Sequence, residues 1–244
     1  MEISWEIILF VLVIFTSAMF RSTFGFGDAL ISMPLLAMFI SIKTATPIVA
    51  FTGFFISIVI LITNKNSFNI KKVWHLIIFS LLGIPLGVLF LRDTHDDLVK
   101  TVLATMLILF AIYRIINPDL RKLKTNKFSW LFGIISGALG GAYNTNGPPI
   151  IIYGSLKKWE PEEFRILLQG IFLPTNFFII LGHGLAGFWT STVWIYFLIT
   201  LPLIILAIFI GTKLNNKISR EKFDRLIYFF LLVIGIILLI KTYF

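Results

Sequence analysis

The chain has 244 residues, of which 58% are hydrophobic and only 14% are charged, and its mean hydropathy is +0.95. A soluble domain is about half apolar and about a quarter charged, so this composition excludes a soluble enzyme and a nucleic-acid-binding domain. The net charge of +9 comes from cations in short segments between apolar runs, a pattern typical of membrane proteins. The lack of cysteine excludes disulfides and thiolate metal sites.

Ten apolar runs follow one another along the chain, and a membrane-spanning helix needs about 20 apolar residues. They form two sets of five: 5–20, 29–40, 45–63, 73–91 and 98–116, then 128–143, 148–156, 164–181, 190–212 and 223–244. The first two runs of each set are short and are joined by stretches rich in Gly and Asn. We predict an all-α polytopic membrane protein in which each set is a short helical hairpin followed by three membrane-crossing helices.

The two sets align with a shift of about 120 positions, which places Trp74 over Trp194 and Val73 over Val193. The shared order of run lengths is a stronger indication of a repeat than these identities. We therefore divide the chain into a first transmembrane repeat at 1–117, a basic linker at 118–128 and a second repeat at 129–244. The two repeats together form one transport domain.

Four loops, at 64–73, 114–127, 157–165 and 213–225, hold 16 of the 21 Lys and Arg residues. The positive-inside rule places them in the cytoplasm. Loops 92–100 and 183–189 and both termini of this multi-pass membrane protein then lie outside. Matching loops fall on opposite sides, so the repeats are predicted to be inverted. Inverted repeats are typical of secondary transporters with a substrate site near the midplane.

Two stretches, 21–28 and 140–149, interrupt the apolar pattern between short runs, as a broken helix would. Asn146 is a plausible N-cap before Pro148, and Gly27 and Asp28 open the matching helix of the first repeat. Two helix N-termini directed at one place would attract an anion. The candidate substrate contacts in these stretches are Arg21, Ser22, Gly25, Gly27, Asp28, Asn144, Thr145, Asn146, Gly147 and Pro148.

Arg21 is the one basic residue that the runs do not place in a loop, and its fork of donors suits an oxyanion. Two main interpretations stay open: a substrate or gating contact, or a structural pair with Asp28. Asp28 is the one acid within an apolar stretch. It either carries a coupling proton or serves as a first-turn acid of the following helix.

The third run of each half is expected to line the same cavity. Gln169 and Asn176, with Thr175, are polar in an otherwise apolar run, and Pro174 could break that helix. Thr52 and Ser57 occupy the similar stretch of the first half, where hydrogen bonding between helices is an equally good explanation. Small residues also serve helix packing, and that is the role we predict for Gly133 and Gly137.

The chain resembles the TauE/SafE sulfite exporter family over nearly its whole length. The resemblance lies in the paired motifs Phe24-Gly25-Phe26-Gly27-Asp28 and Gly133-Ile134-Ile135-Ser136-Gly137, each followed by a proline-containing helix, and in Gly83-Ile84-Pro85-Leu86-Gly87. It implies an inner-membrane transporter that usually exports sulfite or small organosulfur anions. Family members often have a run of glycines where this chain has Tyr-Asn-Thr-Asn, which permits a larger organic anion.

We thus predict a secondary transporter, not an enzyme, that exports sulfite or an organosulfonate such as sulfoacetate by alternating access. The expected partners are a small anion, the lipid bilayer and a coupling proton or ion, with no nucleic acid, cofactor or metal. A homodimer stays open. The alternatives are a passive anion channel and a transporter for a different organic anion.

Overall fold

A computed structural model describes residues 5–63, 69–116, 122–123, 125–214 and 220–243. Over these residues the chain forms ten α-helices, each coinciding with one apolar run: α1 (Trp5–Phe24), α2 (Asp28–Leu36), α3 (Ile42–Thr63), α4 (Trp74–Asp93), α5 (Asp96–Ile116), α6 (Ser129–Tyr143), α7 (Gly147–Lys157), α8 (Pro161–Leu185), α9 (Ser191–Leu214) and α10 (Arg220–Tyr243). Six of them, α1, α3, α4, α5, α8 and α9, are long and apolar enough to cross a membrane. The prediction of an all-α polytopic membrane protein is confirmed.

Two helices run further than their apolar patterns predict. The first run ends at Phe20, whereas α1 continues through Arg21 to Phe24, because the Arg21 side chain finds hydrogen-bond partners inside the protein. The expected break at Pro174 is absent, and α8 is continuous from Pro161 to Leu185. Proline costs a helix one backbone hydrogen bond, which neighbouring groups in a membrane bundle can replace.

Each half of the chain packs its first helix against the fourth helix of the other half. In one pair, the Phe10 ring of α1 packs at a tilt against the Tyr196 ring of α9, and the Thr23 hydroxyl donates to the Gly211 carbonyl. In the other pair, α4 lies along α6. The helices α3 and α8 pack together, as do α5 and α10. Thr101 near the start of α5 bonds Tyr243 at the end of α10, so that pair is antiparallel.

The contact between α4 and α6 depends on glycine. A methyl group at Gly137 of α6 would lie 1.9 Å from the Ser80 carbonyl oxygen of α4, and one at Gly87 of α4 would lie 1.9 Å from the Ala138 carbonyl oxygen. At Gly133 it would lie 2.5 Å from Phe79 Cβ. Backbones that approach this closely leave no room for any side chain. The predicted packing role of Gly133 and Gly137 is confirmed.

The loop contacts fall into two groups at opposite ends of the bundle. At one end, Lys43 Nζ donates to the Arg92 carbonyl and Lys241 Nζ to the Met38 carbonyl. At the other end, Lys72 pairs with Glu163, and the Leu123 amide donates to the Leu156 carbonyl. The second group joins loops that the charge pattern assigns to the cytoplasm. Parts of those loops, and of the linker 118–128, lie outside the described residues.

Candidate functional site

The break between α1 and α2 is built from two glycines with left-handed backbones. Gly25 has φ +89° and Gly27 has φ +103°, conformations that cost other residues energy. The Gly25 amide closes α1 by donating to the Arg21 carbonyl at 2.7 Å. The next helix begins at Asp28 directly after Gly27. Asp28 therefore lies in the first turn of α2, and its side chain does not cap the helix.

The break between α6 and α7 uses asparagine in the same way. Asn144 ends α6 with φ 56°, a left-handed conformation in which asparagine is enriched. Asn146 occupies the N-cap position of α7, but its side chain makes no capping bond. Its amide instead donates to the Thr175 hydroxyl of α8 at 3.2 Å. Pro148 lies in the first turn of α7, as predicted.

Arg21 lies at the centre of a buried polar cluster. Its Nη1 donates to Asp28 Oδ2 at 2.7 Å, and its Nη2 donates to Ser57 Oγ at 2.6 Å. Both Nε and Nη2 donate to Gln169 Oε1, at 3.3 and 3.1 Å. Arg21 is 2% exposed and Asp28 is 5% exposed. Among the described residues they are the only charged side chains in the buried class, so the cluster holds one compensated ion pair.

One stretch of α8 contacts both breaks. The Gln169 amide donates to the Gly25 carbonyl of the first break, while Thr175 binds Asn146 of the second break. Between them, the Phe172 ring lies 4.9 Å from Arg21 Cζ. A methyl group at Gly147 would lie 3.8 Å from the tip of the same ring. The beginnings of α2 and α7 therefore lie along about 10 Å of one helix.

Gly53 of α3 lets polar side chains of the cluster approach its backbone closely, a role that the sequence did not indicate. A methyl group there would lie 2.7 Å from Arg21 Nη1, 2.9 Å from Asn176 Nδ2 and 3.3 Å from Asp28 Oδ2. Asn176 is fully buried, yet within the described part of the chain neither its Nδ2 nor its Oδ1 has a hydrogen-bond partner. Burying a polar group without a hydrogen-bond partner costs about 1–3 kcal/mol of stability. Asn176 is therefore a candidate for contact with a ligand beside the ion pair.

Three predicted or candidate hydroxyls point away from this cluster. Ser22 donates to the Ala18 carbonyl and Thr52 to the Ile48 carbonyl, each within its own helix. Thr145 reaches back to the Leu139 carbonyl at the end of α6. Ser57 is different, because it also bonds Gln169 Oε1 of α8 at 3.1 Å. Asn144 is also buried, and among the described residues neither atom of its side-chain amide has a hydrogen-bond partner.

Arg165 is a second cation at the first break, where the sequence placed it in a cytoplasmic loop. It lies in the second turn of α8, and its Nη2 donates to the Ser22 carbonyl at 2.6 Å. Its side chain also occupies the space that a larger residue at Gly25 would need. Arg165 and Gln169 are four residues apart, so they share one face of α8. Together they fasten the end of α1 to α8.

The comparison with known protein families agrees with this architecture. The model of the family described as Sulfite exporter TauE/SafE matches residues 9–238, nearly the whole chain. No curated protein and no solved structure matches. In the part of the chain that the structure describes, no group of three His, Asp or Glu residues is arranged to hold a metal. With a match of this extent, the chain belongs to the TauE/SafE sulfite exporter family, a family of membrane transporters.

Proposed function

We propose that this protein is a secondary transporter that exports a small oxyanion, with sulfite or an organosulfonate such as sulfoacetate as the first candidates. One observation carries the proposal: a buried arginine lies beside an unsatisfied buried amide, Asn176, where a broken helix begins. A guanidinium fork and helix N-termini are both suited to an anion with several oxygens.

The proposed anion site is formed mainly by Arg21, Asn176 and the first turn of α2, with α7 on the other side of Phe172. Gln169 and Ser57 hold the guanidinium in place. Of the remaining predicted contacts, Gly25, Gly27, Gly147 and Pro148 shape the two breaks. The side chains of Ser22, Asn144, Thr145 and Asn146 are not among the hydrogen-bond partners of Arg21 in the described residues. They become substrate contacts only if the breaks rearrange.

Burial of the site favours a gated transporter over a passive channel. In an open anion pore, the cationic side chain that selects the anion would be in contact with water, whereas Arg21 is only 2% exposed. Access from either side therefore requires a conformational change, as alternating access demands. The exchange of packing partners between the halves supports inverted repeats at 1–117 and 129–244, and the grouped loop contacts support a cytoplasmic face at Lys72 and Glu163.

The bodies that move are then not the two halves of the sequence. Gly83 and Gly87 of α4 fit against α6 with backbone-to-backbone contact, so α4 and α6 move together although they belong to different repeats. We expect the motion to separate α3 from α8, because the hydrogen bond between Ser57 and Gln169 that joins them belongs to the Arg21 cluster.

Flux measurements in proteoliposomes test the proposal. The purified protein should carry labelled sulfite or sulfoacetate with saturable kinetics, above the leak of protein-free liposomes. Sulfate, thiosulfate and taurine, added as competitors, define the preferred anion. The binding anion should also raise the thermal unfolding temperature, since a ligand that binds only the folded form stabilises it. Unsaturable flux would favour the channel, and no flux with any of these anions would contradict the proposal.

Replacing Asn176 by leucine is expected to separate binding from stability. The free energy of unfolding should stay unchanged or rise by about 1 kcal/mol, because an unsatisfied buried amide is removed. Anion affinity should fall roughly tenfold or more as a hydrogen bond to a charged ligand is lost. Thermal shift in detergent and flux in liposomes measure the two effects.

The matched control is Thr200→Val on α9, where a buried hydroxyl bonds only its own helix. It should change neither flux nor affinity. Unchanged affinity in the Asn176→Leu protein would show that the anion does not reach this amide.

A further inference from the structure

We propose that one proton enters the site with each anion, because the Asp28 carboxylate and the transported anion exchange places on the Arg21 guanidinium. This inference rests on the proposed function and adds the coupling ion, its stoichiometry and its direction relative to the anion.

Charge balance inside the protein is the first reason. Arg21 and Asp28 are the only charged side chains in the buried class among the described residues, and their pair is neutral. An anion that joined the intact pair would leave a net negative charge buried in the bundle, which is strongly unfavourable. A proton on Asp28 removes that charge, and the anion then pairs with Arg21 in its place. A monovalent anion then leaves the site neutral, and divalent sulfoacetate leaves one negative charge instead of two.

The hydrogen bonds of Arg21 are the second reason. All three guanidinium nitrogens are engaged in the resting cluster, and only Nη1 binds a charged partner. Nε and Nη2 are held by the neutral groups of Gln169 and Ser57. Those bonds remain when Asp28 leaves, so the guanidinium keeps its position. The exchange therefore requires movement of one carboxyl group and no rebuilding of the site.

Gly53 brings the groups of the exchange together, because any side chain at this position would collide with them. The Asn176 amide, the Asp28 carboxylate and Arg21 Nη1 all surround the position where a side chain of residue 53 would begin. The amide can donate to an incoming anion through Nδ2 and accept from a protonated Asp28 through Oδ1. Asn176 thus offers a partner to each species that the exchange creates. This explains why a buried amide is left without partners in the resting state.

No other described cation or acid contacts Asp28. At the break between α1 and α2, the nearby cation is Arg165 of α8, which donates to the Ser22 carbonyl. Of the helices packed against α2, α3 contributes Gly53 and Ser57, which are uncharged, and α1 contributes Arg21. The described charged groups of α5 and α10 lie elsewhere. Asp96 bonds Ser41, and Asp97 and Lys100 lie beside it at the start of α5. Arg114 bonds Ser155 and lies over the Tyr228 ring, and Lys241 bonds the Met38 carbonyl.

The exchange fixes how transport responds to ion gradients. Proton and anion cross in the same direction, so a monovalent anion moves without net charge and the membrane potential does not drive it. Efflux then carries protons outward against an inward proton gradient. Export occurs only when the outward concentration gradient of the anion exceeds the inward proton gradient. The protein thus relieves excess anion and does not deplete the cell completely.

The test counts protons in proteoliposomes loaded with a pH-sensitive dye, with the membrane potential clamped by potassium and an ionophore. Sulfoacetate is the probe between about pH 6 and pH 8, where carboxylate and sulfonate groups stay ionised and carry no proton themselves. An inward anion gradient should acidify the lumen by one proton per anion. Anion affinity should weaken by up to tenfold per pH unit, as linkage of anion binding to the uptake of one proton requires.

The Asp28→Asn protein mimics the protonated carboxyl and should bind the anion with an affinity that no longer depends on pH. Its flux should move no protons. The control is Asp93→Asn, which removes the acid of another arginine pair, Arg92–Asp93, that also spans 2.7 Å but is exposed. That protein should keep one proton per anion and the wild-type pH dependence.

The outcomes separate the two proposals. If neither sulfite nor sulfoacetate is carried by the wild-type protein, the proposed function fails. If the wild-type protein carries anion without protons, or the Asp28→Asn protein keeps the pH dependence, transport stands and the coupling is wrong. If only sulfite is carried, its own titration is identical for both proteins, so the ratio of their affinities across pH still decides. Should the variant fail to fold, the wild-type proton count decides alone.

Discussion

The Arg21→Ala protein is expected to lose anion flux by roughly 100-fold or more, since hydrogen bonds to a charged group are worth about 1.5–3 kcal/mol each. It should also lose about 3–5 kcal/mol of stability, because Asp28 is left buried without its cation. Both effects are measurable on one preparation, by labelled-anion flux in liposomes and by thermal unfolding in detergent.

A double variant separates these two effects. Removing both charges in Arg21→Ala/Asp28→Ala should restore most of the stability, since neither partner is then left unpaired. It should not restore flux, because the anion still has no guanidinium. Arg21→Lys keeps the charge but loses the fork, and we expect intermediate affinity. Normal flux in a folded Arg21→Ala protein would contradict the proposed site.

The Gly137→Ala protein is expected to lose more than about 3 kcal/mol of stability, at the upper end of overpacking effects. The added methyl group would lie 1.9 Å from the Ser80 carbonyl oxygen, so the α4 and α6 backbones must move apart. Because those helices hold both halves together, flux should be lost with the fold. Thermal unfolding and the yield of monodisperse protein in detergent measure the effect.

Gly182→Ala on α8 is the matched control. Its methyl group would come within 3.0 Å of the Val88 side chain, whose end can turn aside, and it meets no backbone. Its stability should change by less than about 1 kcal/mol. An unfolding temperature of the Gly137→Ala protein equal to that of the control would show that α4 and α6 do not approach as closely as described.

The sequence predicts the helices and the centre of the site better than it predicts the packing. Arg21 and Asp28 stand out because a charge in an apolar run needs a partner, and Gln169 stands out as a polar residue in such a run. Gly53 gives no comparable signal, since a single glycine in an apolar helix is ordinary. Its role depends on which side chains approach it from three other helices.

Arg165 shows a different limit of the sequence pattern. It lies at the boundary between the basic loop 157–165 and the apolar run that follows, so hydropathy assigns it to the loop. The helix in fact begins at Pro161, and the side chain turns towards the end of α1. The pairing of α1 with α9 and of α4 with α6 is likewise not visible in the sequence. In a membrane, close packing of small residues determines which helices pair, and the pattern of apolar residues does not.

The bond between Arg21 and Gln169 spans 148 positions of the chain, which bears on how the protein is made. At roughly 5–20 residues per second, α8 emerges from the ribosome about 7–30 s after α1. During that interval α1 carries an arginine into the membrane with only Asp28 and Ser57 available to hold it. The nascent chain must therefore form the first ion pair early, or keep α1 beside the insertion machinery until the second half arrives.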